Sequence, residues 1–402
     1  MPFGALCVVC SRLFFLLLFL LLLLVAPPSN AFTVVGTPPR VLMTRCVITT
    51  TTTRSTSTRL DATWSDSKAV KDYQEFLNSG RQEVERASDQ ASVILHDGTE
   101  RTAALAACLF ETGLGDDVLL TPNQALPDAL QGQTEYPIYI TLPPYALTEF
   151  LTNLGDSYKE RNDNFCFFSG GFMGNIEDVL KERGYCRDSM TQIMVAGLHI
   201  TPTGRPQDVS VNLGLDSYGE PKLANQCTAT GKWAGAVAER FERSQVTCAV
   251  DFYREWRRKM WERSFYDAVF PLLGAVRDQQ PTTHANVAQY YEDEVSDMVW
   301  DLSQLLRGWR AVTLLYGFEE RLLGTAEIRG AETPCQPLPD AAMYPYIWGM
   351  NVFQESQMVV DYLWYAQTEK GFLQGVQLPP QRADEDYTSH MRKGNLRADG
   401  VI

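Results

Sequence analysis

The chain has 402 residues, of which 45% are hydrophobic and 21% charged, so it is not a wholly disordered chain and has the length of two to three domains. Asp and Glu number 49 against 35 Lys and Arg, which gives a formal net charge of −14. A chain this acidic lacks the clustered cations that neutralise phosphates, and general nucleic-acid binding is therefore excluded from its predicted functions.

The first sixty residues differ from the rest, because they contain five Arg and no acidic residue. Arg12 precedes an unbroken apolar run over 13–25, and small residues follow at 29–31. The run is close in length to both a signal-peptide core and a short bilayer-spanning helix. The small residues favour cleavage, so we predict a signal peptide at 1–31, with a retained membrane anchor as the alternative.

Residues 32–60 are rich in Thr and Arg, a composition typical of a transit peptide. Their junction with the preceding segment, Ser-Asn-Ala-Phe ending at Phe32, resembles the bipartite targeting signal of secondary plastids, which places a Phe just after the cleavage point. We therefore predict a plastid protein that travels through the secretory route. The alternative is a membrane-anchored or secreted protein in which 32–60 is a disordered stalk.

The cysteines do not indicate a metal site. The chain has nine Cys, and the six that follow residue 60 contain no Cys-x-x-Cys pair. Neither a zinc site nor a thioredoxin motif is therefore predicted. A reducing compartment is expected, although an even number of cysteines leaves disulfide bridges open.

Short apolar runs alternate with helical patterns between residues 91 and 221. The expected strands lie at 92–95, 117–120, 137–142, 164–168 and 192–195, with expected helices at 103–110, 146–154 and 175–183. This alternation is typical of a parallel α/β sheet, and it predicts a Rossmann-like domain over 91–221. A polar, helix-prone segment at 61–90 predicts a lead-in helix.

Longer segments with apolar residues at helical spacing follow. They lie at 252–276, 287–307, 314–323 and 351–366. The pattern predicts an all-helical domain over 222–375, and the polar composition of 376–402 predicts a loose tail. The predicted fold class is thus α/β plus all-α.

The turn after the first expected strand is where a dinucleotide-binding fold holds its phosphates. Such a loop needs glycines, because backbone amides must approach the pyrophosphate closely. Here the turn 96–101 has Gly98 as its one glycine, and Asp97 adds negative charge that Arg101 offsets in part. Gly98, Thr99 and Arg101 are the candidate cofactor contacts. NAD or NADP is considered as a cofactor, but no intact glycine motif supports it, and a degenerate turn is the alternative.

Several later segments are similar to one family. They are 167–173 (Phe-Phe-Ser-Gly-Gly-Phe-Met), 229–238 (Ala-Thr-Gly-Lys-Trp-Ala-Gly-Ala-Val-Ala), 259–263, 270–275 and 291–295. On these segments, over roughly 92–310, the chain resembles plant and algal plastid proteins that look like ketopantoate reductases and carry a domain similar to the C-terminal domain of 6-phosphogluconate dehydrogenase. The resemblance implies a Rossmann-like domain, a helical domain, a ligand cleft between them and an NAD(P)-dependent reduction of a 2-oxo acid.

The resemblance also implies a set of site residues. The reductases carry a Trp-x-Lys-Leu-x-x-Asn helix, in which the Lys protonates the carbonyl oxygen and the Asn helps to place the substrate. In the matching stretch, 261–267, Arg263 stands for the Lys and Asp267 for the Asn. Arg keeps a cation for a carboxylate, but its pKa above about 12 makes it a poor proton donor. The candidate residues are Arg263 and Asp267 for catalysis, Ser169 and Gly170 on the nicotinamide side and Lys232 for the substrate.

Two functions follow from these observations. The first is a plastid protein derived from NAD(P)-dependent 2-oxoacid reductases, with a degenerate cofactor loop and weak or lost activity. The second is a non-catalytic metabolite sensor or plastid assembly partner. A small anionic metabolite is the expected ligand, no nucleic acid is expected, and a homodimer through the helical domain is considered.

Arg263 and Asp267, four residues apart, are expected to pair on one helix face, with Trp261 packed about 200° away.

Overall fold

The computed structural model describes residues 87–185, 190–197, 205–215, 219, 221–277, 282–330 and 341–381. They all belong to one unit that spans Ser79–Ile402. The predicted signal peptide, the transit segment, most of the lead-in helix and the tail beyond residue 381 lie outside the described residues. The short part of the lead-in segment that is described, 87–90, is not helical.

The described residues contain nine strands, seven of which form one sheet. In chain order the strands are β1 (Val93–Leu95), β2 (Val118–Leu120), β3 (Ile138–Ile140), β4 (Phe165–Ser169), β5 (Thr191–Met194), β6 (Val211–Leu215), β7 (Pro221–Ala224), β8 (Cys227–Thr230) and β9 (Cys248–Val250). The order across the large sheet is β2-β1-β3-β4-β5-β8-β9. Its first five strands are parallel, β8 is antiparallel to β5, and β9 is parallel to β8. β6 and β7 form a separate antiparallel hairpin.

Helices cover both faces of this sheet. They are α1 (Glu100–Glu111), α2 (Pro144–Thr152), α3 (Asp156–Lys159), α4 (Glu177–Glu182) and α5 (Ala234–Arg243). Successive strand residues point into different cores: Ile94 lies with α1 and α5, whereas its neighbours Val93 and Leu95 lie with α2 and α4. Burial on both faces explains why these strands appear in the sequence as continuous apolar runs.

The rest of the described chain is helical. Its helices are α6 (Tyr253–Val276), α7 (His284–Tyr290), α8 (Glu292–Arg310), α9 (Phe318–Arg329), α10 (Tyr344–Ile347), α11 (Asn351–Gln354) and α12 (Gln357–Thr368). α6 is buried on several sides, and its core residues join those of the sheet face that α1 and α5 cover. None of the helices that the structure describes is both long enough and apolar enough to cross a bilayer.

Three contacts fix α6 to the sheet and its helices. The Trp256 indole N–H donates to the carbonyl of Thr228 in β8 at 3.2 Å. The buried carboxylate of Glu177, at the start of α4, accepts from the Trp261 indole at 2.7 Å and pairs with Arg257. Trp261 is therefore packed, as its position on the helix predicted.

The predicted fold class is confirmed: a parallel, Rossmann-like α/β sheet precedes a helical part. One boundary needs correction, because most of β7 and all of β8 and β9 lie within the segment 222–375 that was expected to be all-helical. Helices alone begin at Tyr253. β8 and β9 are only four and three residues long, and β8, Cys-Thr-Ala-Thr, has no bulky apolar run. It becomes a strand because it pairs with β5, a long-range contact that local sequence patterns do not reveal.

Candidate functional site

The turn after β1 is closed by its own carboxylate. Asp97 Oδ1 accepts from the backbone N–H of Thr99 at 3.0 Å, from its hydroxyl at 2.8 Å and from the hydroxyl of Thr102. The N–H of Gly98 donates to His96 Nδ1 at 3.2 Å. A bound phosphate would need these same donors, so the turn holds an internal anion where a dinucleotide fold holds an external one.

Gly98 and Thr99 thus lie where the sequence placed them, at the carboxyl end of β1 and the start of α1. Gly98 has φ +82°, and a Cβ built there would meet no atom within 4 Å. The left-handed backbone conformation of the turn therefore favours glycine here, and close packing against another segment does not. The side chain of Arg101, the third candidate contact of this loop, lies outside the described residues.

The turn after β4 is brought together with the candidate pair on α6. Arg263 Nη2 donates to Asp267 Oδ1 at 2.6 Å, which is the pairing that the spacing of four residues predicted. The other carboxylate oxygen of Asp267 accepts from the backbone N–H of Gly171 at 3.0 Å. Ser169 is buried, and its hydroxyl donates to the carbonyl of Ile193 at 3.3 Å. Asp267 thus links Arg263 to the turn that begins at Gly170.

Little space is left beside this turn. The cavity between it, α6 and the segment around α10 measures about 10 Å³, which is about the minimum that one water molecule needs. A Cβ on Gly174 would lie 3.1 Å from Tyr346 Cβ, and the Asn175 N–H donates to the Tyr346 carbonyl at 3.0 Å. The space between this turn, α6 and α10 is therefore filled by the chain itself.

Lys232 does not join these residues. β8 runs against β5, so that Thr230 pairs with Gln192 at the start of β5. Lys232 follows at the amino edge of the parallel strands, where its ammonium pairs with Glu135 and donates to Asn164 Oδ1 at 3.3 Å. The candidate turns after β1 and β4 lie at the opposite, carboxyl edge, so the expectation that Lys232 contacts the substrate there needs correction.

A larger cavity opens beyond the end of β5. Its volume is about 710 Å³, and its walls are Met194 of β5, the β6–β7 hairpin, α6, and α9 with the residues that precede it. Arg263 and Tyr266 form its α6 side. Its polar wall also includes Lys259, which belongs to a basic run for which contact with an anionic ligand was the alternative to a solvated helix face. Lys222, Arg321 and Glu262 complete this wall, and the sequence did not assign them to a site.

Each cation of this cavity is paired with an acid. The pairs are Lys222–Glu320 at 2.6 Å, Lys259–Asp251 at 2.6 Å, Arg263–Asp267 at 2.6 Å and Arg321–Glu262 at 2.7 Å. Burial raises the pKa of Glu262, although Arg321 opposes the shift. The Lys222 ammonium lowers the pKa of Glu320. The four pairs together are neutral, but only one of the four acids, Glu262, lines the cavity itself, so cations predominate on its wall.

Metal ligation is not indicated by the part of the chain that the structure describes, which contains no group of three or more His, Cys, Asp or Glu side chains able to hold an ion.

No protein-family model matches the chain, and no curated protein matches its sequence. Solved structures with a similar chain course include the complex of D-mandelate dehydrogenase with NADH, at 11% identity and a TM-score of 0.36, over 78% of this chain and 100% of that one. Another is 2-dehydropantoate 2-reductase from Methylococcus capsulatus, at 9% identity and a TM-score of 0.39, over 77% of this chain and 97% of that one. Similarity this remote assigns neither a substrate nor a cofactor.

Proposed function

We propose that this protein binds a small organic anion on a reductase-like scaffold and does not turn it over with a nicotinamide cofactor. The observation that carries the proposal is the carboxylate of Asp97, which accepts from the N–H and hydroxyl of Thr99 and from Thr102. A pyrophosphate at this turn would have to displace that carboxylate or lie against its negative charge.

The residues at the other end of the expected cofactor site support the same proposal. Asp267 holds the N–H of Gly171, and Tyr346 packs on Gly174, so the residues present do not fit a nicotinamide ring beside this turn. Arg263 stands in the position of the reductases' proton-donating Lys, and arginine is a poor general acid compared with lysine. No reduction step is therefore assigned to these residues.

Binding is proposed for the cavity of about 710 Å³, which is within the usual size range of small-molecule sites. Its cations are held in place by their acidic partners, so an organic acid would meet pre-positioned donors. The proposal thus joins the metabolite-binding alternative to the reductase-like fold.

A thermal-shift panel tests the proposal. The purified protein is heated with NADH, NADPH and a set of organic acids, and a ligand at one hundred times its dissociation constant should stabilise the fold by about 2.7 kcal/mol. We expect an organic acid to stabilise the protein. We expect neither dinucleotide to do so at a concentration of about 1 mM. Saturable NADH binding in the low micromolar range, with oxidation of NADH on addition of ketopantoate, would contradict the proposal.

Two variants make the test specific to the turn. Asp97→Ala frees the Thr99 N–H and should raise the affinity for NADH, if only to a weak one, because it removes the internal anion. Asp163→Ala makes the same change of charge at an exposed position just before β4, at the amino edge of the sheet, and should leave that affinity unchanged. Equal effects of the two variants would mean that net charge, not the turn, limits dinucleotide binding.

The proposal includes location in a plastid, reached through a signal peptide and the Thr-rich segment that ends at residue 60. Fusion of residues 1–60 to a fluorescent protein in an alga with a secondary plastid should direct it to the plastid, and Phe32→Ala should prevent import. Secretion of the unaltered fusion, or its retention in a membrane, would favour the alternatives.

A further inference from the structure

We infer that Lys222 and Arg321 form an anion-binding position that Glu320 occupies as a displaceable internal carboxylate, and that the ligand is an organic acid with an apolar body. The inference rests on the proposed function, which it deepens by naming the class of ligand and the residues that hold each of its ends.

Three charged groups converge at the start of α9. The Lys222 ammonium donates to Glu320 Oε2 at 2.6 Å. A Cβ built on Gly317 would lie 3.4 Å from that oxygen, 3.5 Å from Lys222 Nζ and 3.6 Å from Arg321 Nη1. The Glu320 carboxylate is therefore bonded by Lys222 and lies near Arg321, whose guanidinium is itself bonded to Glu262. Lys222 and Arg321 both line the cavity, so a ligand carboxylate that replaced Glu320 would meet the same two cations.

The four ion pairs of the cavity differ in how easily a ligand could replace the acid. The side chains of Arg263 and Arg321 are 3% and 11% exposed, and their partners are 12% and 14% exposed, so breaking either pair would leave a buried charge without its partner. Lys222 is 27% exposed and Glu320 is 69% exposed. An exposed pair contributes little stability, because water solvates both charges when they separate. Asp251, the acid of the fourth pair, is 18% exposed. Glu320 is therefore the most exposed of the four acids and the one that a ligand displaces at the lowest cost.

The wall beside this position is apolar and open to solvent. Four large apolar side chains of the cavity are exposed: Leu215, Leu223, Leu315 and Tyr316, the last of them by 98%. Exposed apolar side chains that gather in one place mark surfaces that bind a partner or a ligand. A short, fully polar acid would leave this wall in water, whereas an alkyl or aryl body would cover it.

Calorimetric titration with linear saturated monocarboxylates, from acetate to decanoate, tests how much the carboxylate and the alkyl chain each contribute to the affinity. We expect one molecule bound per chain and an affinity that rises roughly fourfold for each methylene that reaches the apolar wall. 1-Octanol, which lacks the carboxylate, should bind more weakly than octanoate.

Two variants should change octanoate affinity in opposite directions. Lys222→Met should lower it about fivefold or more, because the ammonium is lost, whereas Glu320→Gln should raise it about two- to fivefold, because the internal competitor loses its charge. Lys159→Met is the matched control. Lys159 is an exposed Lys that pairs with Asp156 at 3.0 Å outside the cavity, and its loss should change nothing.

The outcomes separate the inference from the proposed function. If butyrate binds as tightly as octanoate, or if Glu320→Gln weakens binding as Lys222→Met does, the inference is wrong while anion binding stands. If Arg263→Met abolishes binding and Lys222→Met does not, the head group lies on α6 and the inference is again wrong. If no carboxylate binds to the protein, both the inference and the proposed function fail.

Discussion

Replacement of Arg240 by Met should destabilise the protein more than almost any other single change. The guanidinium of Arg240 is fully buried and donates to Asp89 at 2.8 Å and to Asp117 at 2.8 and 3.0 Å. It also donates to the carbonyls of Leu109 and Gln90, at 3.0 and 2.9 Å. One side chain of α5 therefore joins α1, the start of β2 and the segment before β1.

The magnitude follows from what the variant leaves behind. The carboxylates of Asp89 and Asp117 are each 1% exposed, so Arg240→Met would keep negative charge buried beside an apolar side chain. Removal of one partner from a buried ion pair costs about 3–5 kcal/mol. Arg243→Met is the control, since Arg243 lies on the same helix, pairs with Asp89 and is 37% exposed. Its loss should cost about 1 kcal/mol or less.

The assay is urea unfolding of the original protein and of both variants at pH 8, followed by circular dichroism. We expect the deficit of Arg240→Met to exceed that of Arg243→Met by about 2 kcal/mol or more, because two buried carboxylates lose the partner that they share. A deficit below about 1 kcal/mol, the value for an exposed pair, or equal deficits in the two variants would refute the reasoning.

Two further predictions concern the turn after β4 and the buried thiols. Gly170→Ala should lower the free energy of unfolding by about 1–3 kcal/mol, because Gly170 has φ +94° and a Cβ would lie 2.7 Å from the carbonyl oxygen of Val195. Gly98→Ala, at φ +82° with open space around it, should cost about 1 kcal/mol, and an equal loss in both would contradict the steric argument. Burial raises the pKa of Cys227 to about 12, so iodoacetamide at pH 8 should modify this residue only after denaturation, as peptide mass spectrometry would show.

The central parallel strands were predicted correctly because both faces of the sheet are buried there, so that β1, β3 and β4 are short apolar runs in the sequence. The pairing of Arg263 with Asp267 was predicted because a helix brings residues four apart onto one face. Both signals depend only on residues close together in the chain, so a single sequence is enough to detect them.

What the sequence did not indicate depends on long-range contacts. The position of Lys232 was mistaken because it depends on β8 running against β5, and strand direction is not encoded in the residues of the strand itself. The Lys222–Glu320 pair joins residues 98 positions apart on a hairpin and a helix. Each of these side chains, taken alone, resembles any solvated surface charge, and only the fold brings them together.

The attachment of α6 to the sheet affects how a ligand reaches the cavity. Trp256, Arg257 and Trp261 bond α6 to β8 and α4, and these contacts oppose a hinge motion between the sheet and the helical part along this helix. A ligand would therefore enter a preformed space rather than close two domains around itself, and the small rearrangements required would be rotamer changes at the mouth, where Tyr316 is almost fully exposed. Association with such a site needs no slow conformational step, so residence time rather than rate of capture would set the affinity for different ligands.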